Sequence, residues 1–414
     1  MISKKNFGNT KSVSFLVSIT YIIFMSTVWN TLEYSELYSL LFLSLSFYFY
    51  TNKTSKNSPY LAGIFLGLSI LCNQGTLIFL LGFVFSLIFK NSDEVDNKLI
   101  FLGKFIFGIA IPNLVFVFYY YSNNLFDIYF AHFFSIPLSY ASEGFNFLGG
   151  LIDYLRSLYK FNAALYTLFI FIIISVSIHS LNNRIKNKKN IFYSIDDISI
   201  FIIFSIIFYF VGSHGYYHHL LFLIFFLPLS IMKIATTAQK NLFILFLISA
   251  LISTSITQLP LSINSLKELD TTYENYPLRA LSEEIDSYFD DEDYTILAFD
   301  YNLVLFYLDK HNQSYIVHSE NYLEDYIVNE LIEIEYISEN EINYLLDQEA
   351  DVVICSPRMI KNGVVTKNEL INCEISDYKK NYKKIDTSIF INNDNLQYYR
   401  DPYKEISLFI KQDE

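Results

Sequence analysis

Residues 58–89 read SPYLAGIFLGLSILCNQGTLIFLLGFVFSLIF, two apolar runs parted by the break Cys72-Asn73-Gln74-Gly75. Joined, the runs would overshoot the ~20 residues that cross a bilayer's hydrocarbon; apart, each is short for that task. The pair therefore reads as a tight helical hairpin or a partly re-entrant element, with the break at one membrane face. Working outward, apolar runs recur from residue 13 to residue 260. Nine membrane segments are predicted, at 13–29, 34–50, 60–72, 76–89, 99–121, 162–181, 198–211, 217–232 and 241–261. The 414-residue chain is 52% hydrophobic, with 40 Phe and 34 Tyr. That composition argues against a purely soluble globule.

Beyond Pro260 the texture changes. Residues 1–260 carry 16 Lys and Arg against 10 Asp and Glu, net +6. Residues 261–414 carry 13 against 32, net −19, and the two parts make up the chain's −13. This predicts a membrane domain over residues 1–261 and a soluble acidic domain over 262–414. The first apolar run is long and lacks a small-residue cleavage site, so no cleavable signal peptide is expected. Orientation follows from the basic loops. Lys4, Lys5 and Lys11 precede the first segment, and Lys53 and Lys56 lie between the second and third. Arg184, Lys186, Lys188 and Lys189 follow the sixth, and Lys233 and Lys240 follow the eighth. A cytoplasmic N-terminus puts every cluster on the cytoplasmic side, and nine crossings then put residues 262–414 outside. The expected fold class is a mainly α polytopic membrane bundle with a C-terminal extracytoplasmic α/β domain, integral to the cytoplasmic membrane.

That topology gathers the unusual polar groups on the outer face. Glu33 and Glu36 lie there, with Asn73 and Gln74 and a long loop over 122–160. So does VGSHGYYHHLLFLIFFLP, residues 211–228, which holds three of the chain's seven histidines, His214, His218 and His219. Ionisable groups at membrane depth are costly and mark substrate paths. Histidine can donate hydrogen bonds to a phosphate or carry positive charge near neutrality, and Tyr216 and Tyr217 suit an interfacial belt. Such a pocket suits a lipid-linked phosphate. Plainer readings stand beside this one. His and Tyr at a helix end also suit the headgroup region alone, and Glu33 also reads as a solvated loop acid. Asn73 and Gln74 also read as caps at the break. His179 and His132 read as ordinary interfacial and loop residues. No metal is expected, because adjacent histidines point apart on a helix and no Cys or carboxylate accompanies them in the motif.

The acidic part reads as a small α/β domain. YTILAFD (294–300), QSYIVHS (313–319) and DVVICS (351–356) suit buried parallel strands. YNLVLFYLDK and the amphipathic stretch 320–348 read as the helices between them, which predicts a three-layer or doubly wound sheet. No Gly-rich phosphate loop follows any strand, so nucleotide binding is unsupported. Cys355 and Cys373, outside, are permitted a disulfide, and the sequence leaves their pairing open. The tail after Thr387 suggests a β-hairpin through its Asn-Asp-Asn turn.

Three stretches resemble the polytopic GT-C glycosyltransferases, in their protein-mannosyltransferase-like and aminoarabinose-transferase-like branch. They are the hairpin at 58–89, GSHGYYHHLLFLIFFLPLSI at 212–231, and LRALSEEIDSYFDDEDYTILAFDYNLVLFYLDKHNQSYIVHS at 278–319. The resemblance implies sugar transfer from a polyprenyl-phosphate donor to a glycan, lipid or protein acceptor on the outer face, with no nucleic acid involved. It implies a carboxylate base, for which Glu36 and Glu33 are the candidates. Around the lipid phosphate it implies donors such as His214, Tyr217, His218, His219, Asn73, Gln74 and Arg156. Many members use a divalent cation. Two features depart from the family. Only one short outer loop precedes the Gly-Leu stretch, so the chain looks as though it begins in the middle of the usual bundle. The break carries Asn73 where relatives carry Lys or Arg. A non-catalytic accessory protein binding lipid-linked glycans remains an alternative, as does a lipid-linked glycan polymerase or ligase.

Overall fold

A computed structural model describes residues 35–51, 55–89, 98–142, 197–211, 217–235, 276–289, 293–314, 325–356, 358–361, 364–367, 381–387 and 406–412. Between them it describes the single positions or pairs 18, 21–22, 149, 151–152, 155–156, 248, 252, 256, 260, 263–264 and 266–267. The chain divides into two compact units, Met1–Asn264 and Ser265–Glu414. It is mostly helical, with a small mixed sheet.

The first unit is built from α1 (Ser35–Thr51), α2 (Ser58–Cys72), α3 (Ile78–Phe89), α4 (Lys98–Ser122), α5 (Phe126–Phe130), α6 (Ile136–Ser142), α7 (Asp197–Val211) and α8 (Leu221–Ala235). Six of the nine predicted segments coincide with α1, α2, α3, α4, α7 and α8. The other three, 13–29, 162–181 and 241–261, lie outside the described residues apart from isolated positions. Pro59 opens α2, where its missing N–H costs no hydrogen bond. The break then does what its polarity suggests. Asn73 leaves the helix in an extended conformation, a 3₁₀ turn runs from Gln74 to Leu77, and α3 begins.

α2 packs between α1 and α4 by two different means. Against α4 the backbones nearly touch. A Cβ on Gly63 would stand 2.0 Å from the Phe105 carbonyl oxygen, and one on Gly108 would stand 2.4 Å from that of Tyr60. Gly63 and Gly67 are spaced as a small-xxx-small pair, which trades side-chain bulk for close backbone contact. Against α1 the contact is polar. The buried hydroxyls of Ser39 and Ser69 lie 2.8 Å apart, and each also donates to the other residue's carbonyl at 2.9 Å. Ser46 donates to the Ala62 carbonyl at 2.7 Å. The hydroxyls of Ser39, Ser46 and Ser69 thus all have partners, as an apolar interior demands, while the buried Ser58 hydroxyl at the start of α2 has none among the described residues.

Aromatic rings fill the centre of the unit. Phe201 of α7 meets Phe83 edge-on at 4.6 Å, Phe47 at 4.9 Å and Phe226 at 5.1 Å, so α1, α3, α7 and α8 share one core. At one end of that core Tyr50 shares a 2.7 Å hydrogen bond with Ser86, which in turn donates to Asp197. α4, with 25 residues, spans about 37 Å at 1.5 Å per residue. Among the described residues it is the one helix long and apolar enough to cross a membrane; the other apolar helices are shorter. It leaves Leu114, Val115, Phe118 and Tyr119 exposed. The chain expected as a loop after α4 is helical over 126–142, through α5, a π turn at Ala131–Ser135 and α6. Phe126, Phe130 and Phe134 stack at successive turns, with ring centroids 6.5 and 5.4 Å apart. That four-residue spacing favours helix over loop.

The second unit holds α9 (Pro277–Ser287), β1 (Ile296–Ala298), α10 (Leu303–Leu308), α11 (Asp325–Glu333), α12 (Glu341–Asp347), β2 (Val352–Cys355), β3 (Arg358–Lys361), β4 (Val364–Lys367), β5 (Tyr382–Ile385) and β6 (Ser407–Lys411). The main sheet runs β1-β2-β6-β5, and β3 and β4 form a separate antiparallel pair. β1 and β2 are parallel, in register Ile296 to Val352, as their apolar runs predict. The expected doubly wound parallel sheet is corrected beyond that point, because β6 lies antiparallel between β2 and β5. β6 is buried over Ser407–Ile410 and completes the core with Leu281, Val304, Val352 and Ile354. The strand expected at 313–319 enters the described residues only at its start. There Asn312 bridges Ile296 and its side chain hydrogen-bonds both ways to the Ala298 backbone. The expected tail hairpin lies outside the described residues. Cys355 is disulfide-bonded and Cys72 is a free thiol; Cys373 lies outside the described residues.

Candidate functional site

Three elements of the first unit bring polar side chains to one point. Glu36 stands in the first turn of α1, where the helix dipole favours a carboxylate, and it is only 5% exposed. Asn73 stands at the break and serves two ends. Its Oδ1 accepts from the Gly75 backbone N–H at 3.0 Å, capping the 3₁₀ turn, while its Nδ2 donates to Glu36 Oε1 at 2.9 Å. The capping reading of Asn73 is thus met, and the same side chain also ties the break to Glu36. Ser35 adds its hydroxyl, 3.3 Å from Glu36 Oε2.

His218 and His219 arrive on the 3₁₀ turn Tyr217–Leu220 that opens α8. Each Nε2 lies 3.7 Å from the same Glu36 Oε1. Their rings stand nearly perpendicular, 83° apart, with centroids separated by 4.6 Å. Phe208 of α7 packs edge-on to His219 at 5.4 Å and fixes that ring. His219 is buried, whereas the His218 side chain keeps 19% exposure. Of the three ionisable members His218 is the most open, and Ser35 at the edge of the cluster is exposed.

The structure supplies what the motif by itself lacks. Both imidazoles nevertheless reach one oxygen from the turn that carries them. A carboxylate does accompany them, supplied by α1 from far earlier in the chain. Glu36, His218 and His219 each present a ligand atom, all within 4.8 Å of one another.

The other candidates divide. Gln74 is half-buried at the start of its 3₁₀ turn, next to Asn73. Tyr217 begins the histidine turn. Arg156 is exposed at an isolated described position, and His132 sits exposed in the π turn. Glu33 and His214 lie outside the described residues. Sequence reasoning missed Ser35, Gly75 and Phe208. A Cβ on Gly75 would stand 2.8 Å from the Phe208 ring and 3.0 Å from Asn73 Oδ1, so the glycine lets the break close under the histidines. The legible signal was the Asn73-Gln74-Gly75 run itself, a pattern in which an Asx side chain bonds the backbone two residues on. No protein-family model, curated protein or solved structure matches this chain.

Proposed function

We propose that this chain is a polytopic membrane glycosyltransferase that moves a sugar from a polyprenyl-phosphate donor to an acceptor at the outer membrane face. One observation carries the reading. Stretches that the basic loops assign to a single membrane face contribute Glu36, Asn73, His218 and His219 to one buried cluster. Buried ionisable groups of this kind are expensive to hold in an apolar bundle and are expected at a substrate path. Two features support the setting. α4 is long enough to cross a bilayer, and a disulfide at Cys355 suits an oxidising exterior for the acidic unit.

In this reading the cluster that His218 and His219 build receives the donor phosphate and stabilises its charge as it leaves. Glu36 Oε1 is already shared between Asn73 and both histidines, so Glu36 is assigned to the phosphate side as their organiser. Glu33, three residues earlier in sequence, is then the carboxylate assigned to the acceptor proton. Reconstituted full-length protein, given a polyprenyl-phosphate hexose and membrane glycans as acceptors, should release polyprenyl phosphate. Glu33→Gln should abolish release and keep donor binding, whereas Glu36→Gln should lose both. Donor binding without release by the unmodified chain would favour the accessory-protein alternative.

A further inference from the structure

From the geometry of Glu36, His218 and His219 we infer a site for a first-row divalent transition metal of the zinc class, held by two imidazoles and one carboxylate oxygen. The distances favour an ion over a direct hydrogen bond. Both Nε2 atoms stand 3.7 Å from Oε1, beyond the ~3.2 Å limit of a good N–H···O contact. A tetrahedral ion with bonds of about 2.0–2.1 Å separates its ligand atoms by roughly 3.3 Å, so the three atoms, now within 4.8 Å of one another, close the shell when the imidazoles turn toward each other. The donor set itself is selective. Two imidazole nitrogens favour zinc and its neighbours over magnesium or calcium, which prefer oxygen throughout.

The surroundings are those of a metal site. Asn73 Nδ2 holds Oε1 at 2.9 Å from outside the shell, and the Phe208 ring sets the orientation of His219. Outer partners of this sort orient ligands before the ion arrives. Three protein ligands leave a fourth position, and the partial exposure of His218 puts the opening on its side. A phosphate oxygen is a suitable occupant. The inference rests on the three side chains alone. A chain that binds the ion but no polyprenyl phosphate would leave it standing and overturn only the glycosyltransferase reading.

The test uses full-length protein purified in detergent with a histidine-free tag, stripped with chelator and dialysed against Zn²⁺ or Co²⁺. Elemental analysis should find one ion per chain. Co²⁺ should give the visible spectrum of a four-coordinate N/O site, and Zn²⁺ should raise the melting temperature of the stripped protein. His218→Gln with His219→Gln should weaken ion affinity at least ~100-fold and abolish the melting shift, as loss of two ligands requires. Folding is checked independently by comparing the metal-free melting temperatures, and His132→Gln serves as a control that should bind normally. Sub-stoichiometric metal in the unmodified chain overturns the site. So does an unchanged Co²⁺ spectrum in the double variant.

Discussion

Asn73 shows how much one side chain can carry. Its carbonyl oxygen caps the turn that ends the apolar hairpin, and its amide fixes the one buried carboxylate of the cluster. Asn73→Ala removes both contacts and leaves the Gly75 N–H and Glu36 Oε1 short of partners. The expected cost is about 1–3 kcal/mol of stability, read as a lower melting temperature, with donor binding lost in parallel. An unchanged melting temperature would show that the break is not held by this residue. At this scale the sequence was informative about identity and silent about assembly. Glu36, Asn73, His218 and His219 were all nominated because polar groups in apolar runs stand out. That they meet at one oxygen depends on how α1, the break and the Tyr217–Leu220 turn come together, which no local pattern announces.

The contact of α2 with α4 makes a sharp prediction at the scale of elements. Gly63→Val or Gly108→Val would drive a side chain into an opposing backbone, so either should destabilise the unit by several kcal/mol or prevent its folding. Gly103, on the same helix as Gly108, has nothing within 4 Å of a built Cβ. Gly103→Ala should therefore be neutral or stabilising by up to about 1 kcal/mol, since alanine is the better helix former. Thermal melts of the three variants in detergent check both halves, and equal loss in all three would contradict the packing. Elements with long apolar runs were legible, α1 to α4, α7 and α8 among them. The missed strands were short and locally ambiguous. β5 reads Tyr-Lys-Lys-Ile, with only its ends buried, and β6 gains its identity from burial between β2 and β5 and not from alternation. The β3–β4 pair does carry a signal in the sequence, the Asn362-Gly363 dipeptide between two short runs.

For the molecule as a whole, the two units make separate predictions. Residues from about 275 onward should fold alone as an α/β domain, with a cooperative melt and mixed circular dichroism. Tyr382 donates to the Ala350 carbonyl at 2.6 Å, and burial, reinforced by Glu349 and Asp351, pushes its phenol from 10.0 up to about 12. Unfolded, that phenol ionises near 10.0, so its contribution is complete below that pH and is lost as pH rises toward about 12. Alkaline melts of the isolated domain should therefore fall through that window, and Tyr382→Phe should flatten the fall. Topology is tested by labelling intact cells. A cysteine introduced at the exposed Tyr344 should be reachable from outside, whereas labelling only after permeabilisation would reverse the proposed orientation. The central claim is that the cluster at Glu36 receives a lipid phosphate, and donor binding tests it most directly. Full-length protein in nanodiscs is titrated with a polyprenyl-phosphate analogue, with His218→Gln/His219→Gln beside the unmodified chain and His179→Gln as control. Loss of the histidines' hold on the phosphate, worth about 1.5–3 kcal/mol, should weaken binding in the double variant roughly tenfold to a hundredfold, with the control unchanged. Equal affinity in all three proteins would contradict the account.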